Sequence, residues 1–353
     1  MEPRDYIPRY LERCYLERHP DLTEAARALA REEIAAHPER HAEDDHAQAL
    51  LAYAGARARL LDELERMEGL GDEAYETART RLFDEVRGEL ARIAEADRLC
   101  VDARLTDIML ADVPLDSCIN DLLKLEREAR GHLSGGVAGF SLEAPAYWID
   151  AELARTGATA AERTVAEPEV VGWLHTLEAL SELCLASARY RAAASYARQA
   201  MRAQGFPTMA AGTLCLALAR LEDEEGLFAL ASGPELDTVN AACAPWGPLQ
   251  NSPWFLLART IVLYKAGRTK AAARALRDFS VRCEGGAFFL LNPTYMVPYL
   301  PVRPAPAEPW KRSHQAVWEA DGIIADAPEF GDWAAAQKGI EAISEDFAHR
   351  YGF

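Results

Sequence analysis

Four apolar positions of this chain recur at a fixed distance: Leu180, Cys184, Ala193 and Ala197 return 34 residues later as Leu214, Leu218, Leu227 and Ala231. In each set the positions come in pairs four apart, which places both members of a pair on one face of an α-helix. A period of 34 residues is the length of two short helices and their turn, so the feature predicts helical hairpins stacked side by side. The residue usage agrees. Ala, Leu, Glu and Arg dominate and β-branched residues are sparse, and unbranched side chains lose little rotamer freedom in a helix. At 353 residues and 50% hydrophobic content the chain can bury one large core or two ordinary ones without a metal or a disulfide. The expected fold class is all-α, an α-solenoid of hairpins with an N-terminal helical bundle.

Helical periodicity continues on both sides of the repeat. Leu22, Ala26, Leu29, Ala30 and Ile34 mark a helix from Pro20 to Pro38, and two long amphipathic helices follow, from Asp44 to Glu68 and from Asp72 to Asp97. The Gly69–Gly71 breaker between them suits an antiparallel hairpin. Val101–Ala111 and Asp116–Leu133 form a shorter pair. The Gly- and Ser-rich stretch 134–139 then reads as a hinge, because glycine does not sustain a helix. It divides an acidic N-terminal region, 1–133, from a hairpin array, 134–353. Helices over Leu142–Arg155 and Glu167–Ser187 lead into the repeat.

The unit from Leu177 to Pro207 resembles the tetratricopeptide consensus. It carries Leu177, Leu180 and small Ser181 on a first helix, Tyr190 at the turn, Ala193, Ala197, Ala200 and Met201 on a second, and Pro207 after its end. A third unit resembles the family through Trp254, Leu257 and Ala258, the turn Gly267-Arg268-Thr269, and Ala272, Leu276 and Phe279. The second unit lacks the turn tyrosine, and Gly233–Pro253 is an insertion before the third. About 100 residues carry the resemblance. It implies a superhelix whose first helices line a concave groove for a peptide or a partner's helix, with no catalysis and no cofactor. Carried over position by position, the groove would present His175, Glu178 and Glu182, then Arg220, then Phe255 and Arg259. An acidic end and a cationic end would orient a peptide partner by its charges.

Other chemistry finds little footing. The net charge of -18 repels a phosphate backbone, and residues 1–133 alone hold 31 Asp and Glu against 19 Lys and Arg, so no nucleic-acid partner is expected. The alternatives for that acidity are solvated helix faces or a basic partner. Seven cysteines occur without a CxxC pair, which suits a reducing compartment. The first 19 residues mix charges without an apolar run, and no stretch approaches the roughly 20 apolar residues of a membrane span, so no membrane partner and a cytoplasmic location are expected. His37, His41, Asp44, Asp45 and His46 offer metal-ligand chemistry, but Pro38 separates the first two imidazoles and His41 and His46 point to different helix faces, so no metal site is expected. The glycines at 135, 136 and 139 lack the strand and the Lys-Ser/Thr of a phosphate loop, and no GxSxG, HExxH or dinucleotide fingerprint occurs.

The C-terminal region opens with a non-helical insert, 284–310. Phe288, Phe289, Tyr295, Met296, Tyr299, Leu300 and Trp310 are too many large apolar residues to leave in water. The insert, which also carries Pro304 and Pro306, is expected to lie back on the groove as an internal ligand or lid, the alternative being exposure for a partner. A second reading makes the protein a helical enzyme or small-molecule binder with a pocket under residues 292–310, and a third makes it a homo-oligomer through the helices of 44–97. Ser313–Ala327 and Asp332–Tyr351 form an expected capping pair, with Trp318, Ile323 and Ile324 facing Trp333, Ile340, Ile343 and Phe347.

Overall fold

The computed structural model describes residues 1–67, 69–233, 236–243, 247–296 and 308–353. Among them nineteen α-helices carry the fold, and the only pairing of extended backbone is one isolated bridge between Phe140 and Trp148. The chain is all-α. Contacts divide it into two compact units: Met1–Leu177 with Arg202–Phe206, and Glu178–Met201 with Pro207–Phe353. The break thus falls between Leu177 and Glu178, whereas the glycines suggest 133/134. Gly135 and Gly136 are taken into the last turn of a helix, where the missing side chain costs least.

The first unit starts with α1 (Pro3–Arg18), whose first turn is closed by Asp5 accepting from the Glu2 N–H at 2.8 Å, and α2 (Glu24–Ala36), capped by the Thr23 hydroxyl. The long helices α3 (Asp45–Met67) and α4 (Asp72–Ala96) pack together as the hairpin that their apolar stripes call for. Leu60, Val86 and Leu90 are fully buried. α5 (Val101–Leu110) packs on α4, and α6 (Leu115–Gly136) packs on α5. No helix spans Leu142–Arg155. Ala146 and Tyr147 take positive φ, 47° and 70°, in a tight turn after Pro145, and only α7 (Asp150–Thr156) is regular. The turn drives Tyr147 and Trp148 into a buried aromatic group with Phe140 and Trp173. α8 (Ala160–Val165) and the first half of α9 (Pro168–Ala186) complete the unit.

In the second unit α10 (Tyr190–Met201) packs on α11 (Ala210–Arg220), which in turn packs on α12 (Glu224–Ser232) and α14 (Pro253–Lys265), and α14 packs on α15 (Thr269–Arg282); α13 (Leu236–Ala242) lies within the insertion. The three hairpin turns share one geometry. A single left-handed residue, Ala188 (φ 59°), Glu222 (φ 59°) or Gly267 (φ 69°), ends each first helix. The next residue's N–H then reaches back five residues: Arg189 to Cys184 O, Asp223 to Leu218 O, Arg268 to Leu263 O. This is the Schellman closure, which satisfies the carbonyls a helix end leaves open. Gly212 lets α11 and α14 approach, since a Cβ there would lie 2.7 Å from Cγ of Trp254.

The C-terminal region departs from expectation in two ways. Residues 286–291, expected as non-helical, form α16 (Gly286–Leu291), because its apolar side chains are buried against helices rather than laid across a groove. Tyr299, Leu300, Pro304 and Pro306 of the expected lid lie outside the described residues. The terminal pair is not a hairpin. Gly339 (φ 86°) splits the second helix into α18 (Glu329–Ala335) and α19 (Ile340–Tyr351), and α19 packs on α15 and α16. Trp333 sits against Tyr264 and Phe330. That helix, α17 (Pro309–Ala325), packs on α11, α14 and α16.

Candidate functional site

The six residues expected in a groove fall in both units. His175 belongs to the first unit, where its Nδ1 lies 2.9 Å from Asp102 Oδ1. The other five belong to the second. Glu178 accepts from the Thr208 hydroxyl at 2.6 Å and the Met209 N–H at 2.9 Å, which ties down the chain entering α11. Glu182 is half-buried. Phe255 is 4% exposed and serves as core. Arg259 pairs with Asp278 at 2.5 Å, between α14 and α15. Arg220, at the end of α11, is the residue that reaches the face of the first helices. Its guanidinium stands 5.3 Å from the Tyr190 ring centroid and 3.1 Å from Asp326.

Asp326 caps α17, which packs on the face of α11 and α14. α17 buries Ala316, Val317, Ala320 and Ile323 along one side, an apolar stripe at helical spacing. At one end of the seat the Trp254 N–H donates to Glu319 Oε2 at 2.7 Å, while Gln315 holds the other oxygen at 2.6 Å. At the other end Asp326 takes Arg220 and, at 3.6 Å, Lys265, whose ammonium also meets Glu222 at 3.0 Å. Trp254 opens α14 and Lys265 closes it, so α17 and α14 run in the same sense. The seat combines an apolar floor, a buried indole donor and two cations at one end, which together suit an amphipathic helix bearing carboxylates seven residues apart.

The first unit holds two buried polar clusters. In one, Asp102, 4% exposed, accepts from the Tyr6 hydroxyl at 2.6 Å and binds His175, and Tyr53 meets Thr106 at 3.3 Å. Burial pushes the Asp102 carboxyl up, but the His175 charge and the two hydrogen bonds outweigh it and hold the group below its ordinary range. Burial and the Asp102 charge drive the Tyr6 hydroxyl well up. The hydroxyl and carboxylate are enclosed, so a proton relay here meets no substrate. In the other, His46 lies between Asp97 (Nδ1, 2.5 Å) and Glu169 (Nε2, 3.9 Å), with the Tyr10 ring edge-on at 5.3 Å. Nearby Glu167 pairs with Arg163 at 2.7 Å and Arg13 at 3.2 Å, yet burial pushes its carboxyl up to about 6.

The histidines of the 37–46 segment turn to separate partners. His37 faces Glu39, His41 faces the Tyr15 ring and His46 faces Asp97. Among the described residues no group of three His, Cys, Asp or Glu side chains is placed to hold a metal ion, and no helix is long and apolar enough to cross a membrane. All cysteines are free. Burial pushes the Cys243 thiol up to about 11 and the Cys215 thiol higher still, so both pack as protonated groups.

Sequence reasoning singled out Arg220 but not the Trp254 donor, nor Glu319 and Asp326, which meet Trp254 and Arg220 respectively. Seven-residue spacing of two carboxylates on a helix with an apolar stripe is the signal that could have found them. Comparison with family models, with curated proteins and with solved structures finds no match for this chain.

Proposed function

We propose that the second unit is a protein-interaction module of the tetratricopeptide type, a scaffold whose first-helix face receives an amphipathic, acidic helix. The observation that carries the reading is α17 seated across α11 and α14, with carboxylates at both ends of the seat met by Trp254, Arg220 and Lys265. The turn geometry repeated after α9, α11 and α14 supports the family assignment, since stacked hairpins are how that family builds such a face. In this reading α17 is a built-in occupant. The partner is a protein helix with α17's pattern, and neither cofactor nor catalysis enters. A tethered occupant has an effective concentration on the order of millimolar, so a partner must bind more tightly than α17 or bind when α17 is released.

The test uses the full chain carrying Glu319→Lys and Asp326→Lys, which sets α17's charges against the seat and leaves the seat intact. A fluorescent peptide of residues 309–327 is titrated into it and followed by anisotropy, with the circular dichroism spectrum compared with the parent. Saturable binding, lost when Arg220→Glu is added, is the expected result. A variant that keeps its helicity and binds no peptide rejects the reading.

A further inference from the structure

In the first unit a groove of about 1090 Å³ runs along the hairpin of α3 and α4. Met67, Ala74, Ala78 and Leu82 form its apolar floor. α5 covers only the later turns of α4, since it starts where α4 ends and runs back along it, and near its far end Asp107 meets Arg87 at 2.9 Å. The earlier turns of α4 lie beyond α5 and pack on α3, which leaves their outer face exposed.

Charge is ordered along that face. Glu73, Thr77, Arg81 and Glu85 follow one another at four-residue spacing, so they share one side of α4, and all four line the groove. Glu73 stands in the first turn, where the helix dipole favours a carboxylate, and has no ion pair among the described residues. Arg81 reaches Glu85 at 2.8 Å and is otherwise open to solvent. Thr77 lies midway between Glu73 and Arg81, which are about 12 Å apart along the axis.

This order is self-complementary. A two-fold axis crossing α4 at Thr77 turns the helix end for end, so that Glu73 of each copy comes opposite Arg81 of the other, and the contact is made twice. Glu85 then falls beyond the first turn of the partner's α4 and meets no like charge there. Near the axis Ala74, Thr77 and Ala78 are small enough for the two helices to approach closely. An acidic partner would use Arg81 and be repelled by Glu73, and a basic partner would do the reverse. A second copy, laid antiparallel, satisfies both.

We infer that this face is a dimer contact, in which two copies of the chain pair through antiparallel α4 helices and their hairpins close over the apolar floor as a four-helix arrangement. The contacting stretch of α4, 72–85, is about 21 Å long, and the hairpin is roughly 20 Å wide, a footprint at the small, transient end of protein interfaces.

The test is sedimentation equilibrium of the full chain, carried up to about 200 μM because a contact of this size pairs weakly. A reversible monomer–dimer equilibrium is expected. Glu73→Arg sets cations against cations across the axis, and Arg81→Glu sets carboxylates against carboxylates, so each variant alone is expected to dimerise at least about tenfold more weakly. Both side chains are exposed, and neither substitution touches the core. Mixed in equal amounts, the two variants are expected to pair with each other, because at both contacts one then supplies only cations and the other only carboxylates. A parent chain that stays monomeric, single variants that dimerise as the parent does, or a mixture that fails to pair overturns the inference. These measurements leave the α11–α14 face untouched and are independent of whether it binds a helix.

Discussion

Asp102 holds together chain segments far apart in sequence, since Tyr6 and His175 converge on its two oxygens from 96 and 73 residues away. Removing one partner of a buried charged network leaves the others without compensation, so Asp102→Asn is expected to cost about 3 kcal/mol, read as a lower urea midpoint. The sign of the pH effect follows from the depressed carboxyl. Its stabilisation is present above the unfolded value near 3.8 and is lost as pH falls through the lower folded value. Glu167 works in the opposite direction. Its folded carboxyl is raised to about 6, so its contribution is full below 4.5 and lost as pH rises through 6. Stability measured between pH 4.5 and 7 should carry a decline of about 2 kcal/mol from this group, absent from the slope of Glu167→Gln. None of these roles could be read from the sequence. Asp102 sits in α5 as one acid among many, and only the fold brings a hydroxyl and an imidazole to it.

At the scale of elements, the hairpin turns can be tested directly. Ala188 and Glu222 adopt a left-handed conformation that costs a non-glycine residue about 1–2 kcal/mol, whereas Gly267 at the third turn adopts it freely. Ala188→Gly is therefore expected to stabilise the second unit by about 0.5 kcal/mol after the entropy cost of glycine, and Ala188→Val to destabilise it by about 1 kcal/mol, both read from urea midpoints. Gly212→Ala places a methyl against Trp254 and is expected to cost about 1–3 kcal/mol by forcing α11 and α14 apart. The helices of the repeat were legible because apolar spacing and turn residues are local signals. Leu142–Arg155 was misread because two positive-φ residues after a proline leave no mark on periodicity. The 286–291 segment was misread as irregular because a buried short helix is apolar all round and has no stripe. The terminal pair was misread because a single glycine, Gly339, redirects the chain between α18 and α19.

For the molecule as a whole, the all-α class followed from composition, while the proposed occupant of the first-helix face did not. Sequence reasoning assigned that role to the proline-rich insert, whose residues 297–307 lie outside the described residues; the proposal assigns it to α17. The reason is that an internal ligand is defined by complementarity between distant residues, such as Trp254 with Glu319 and Arg220 with Asp326, and each partner alone reads as an ordinary core or surface position. The central claim is that α17 is an occupant of a preformed face and not a member of the core that forms it. The most direct measurement is hydrogen exchange, followed by mass spectrometry, on the full chain carrying Glu319→Lys and Asp326→Lys. If α17 is an occupant, its amides lose protection while those of α11 and α14 keep theirs, because local opening of a docked element leaves the underlying helices folded. Loss of protection in α11 and α14 together with α17 would contradict the claim and make α17 part of the core.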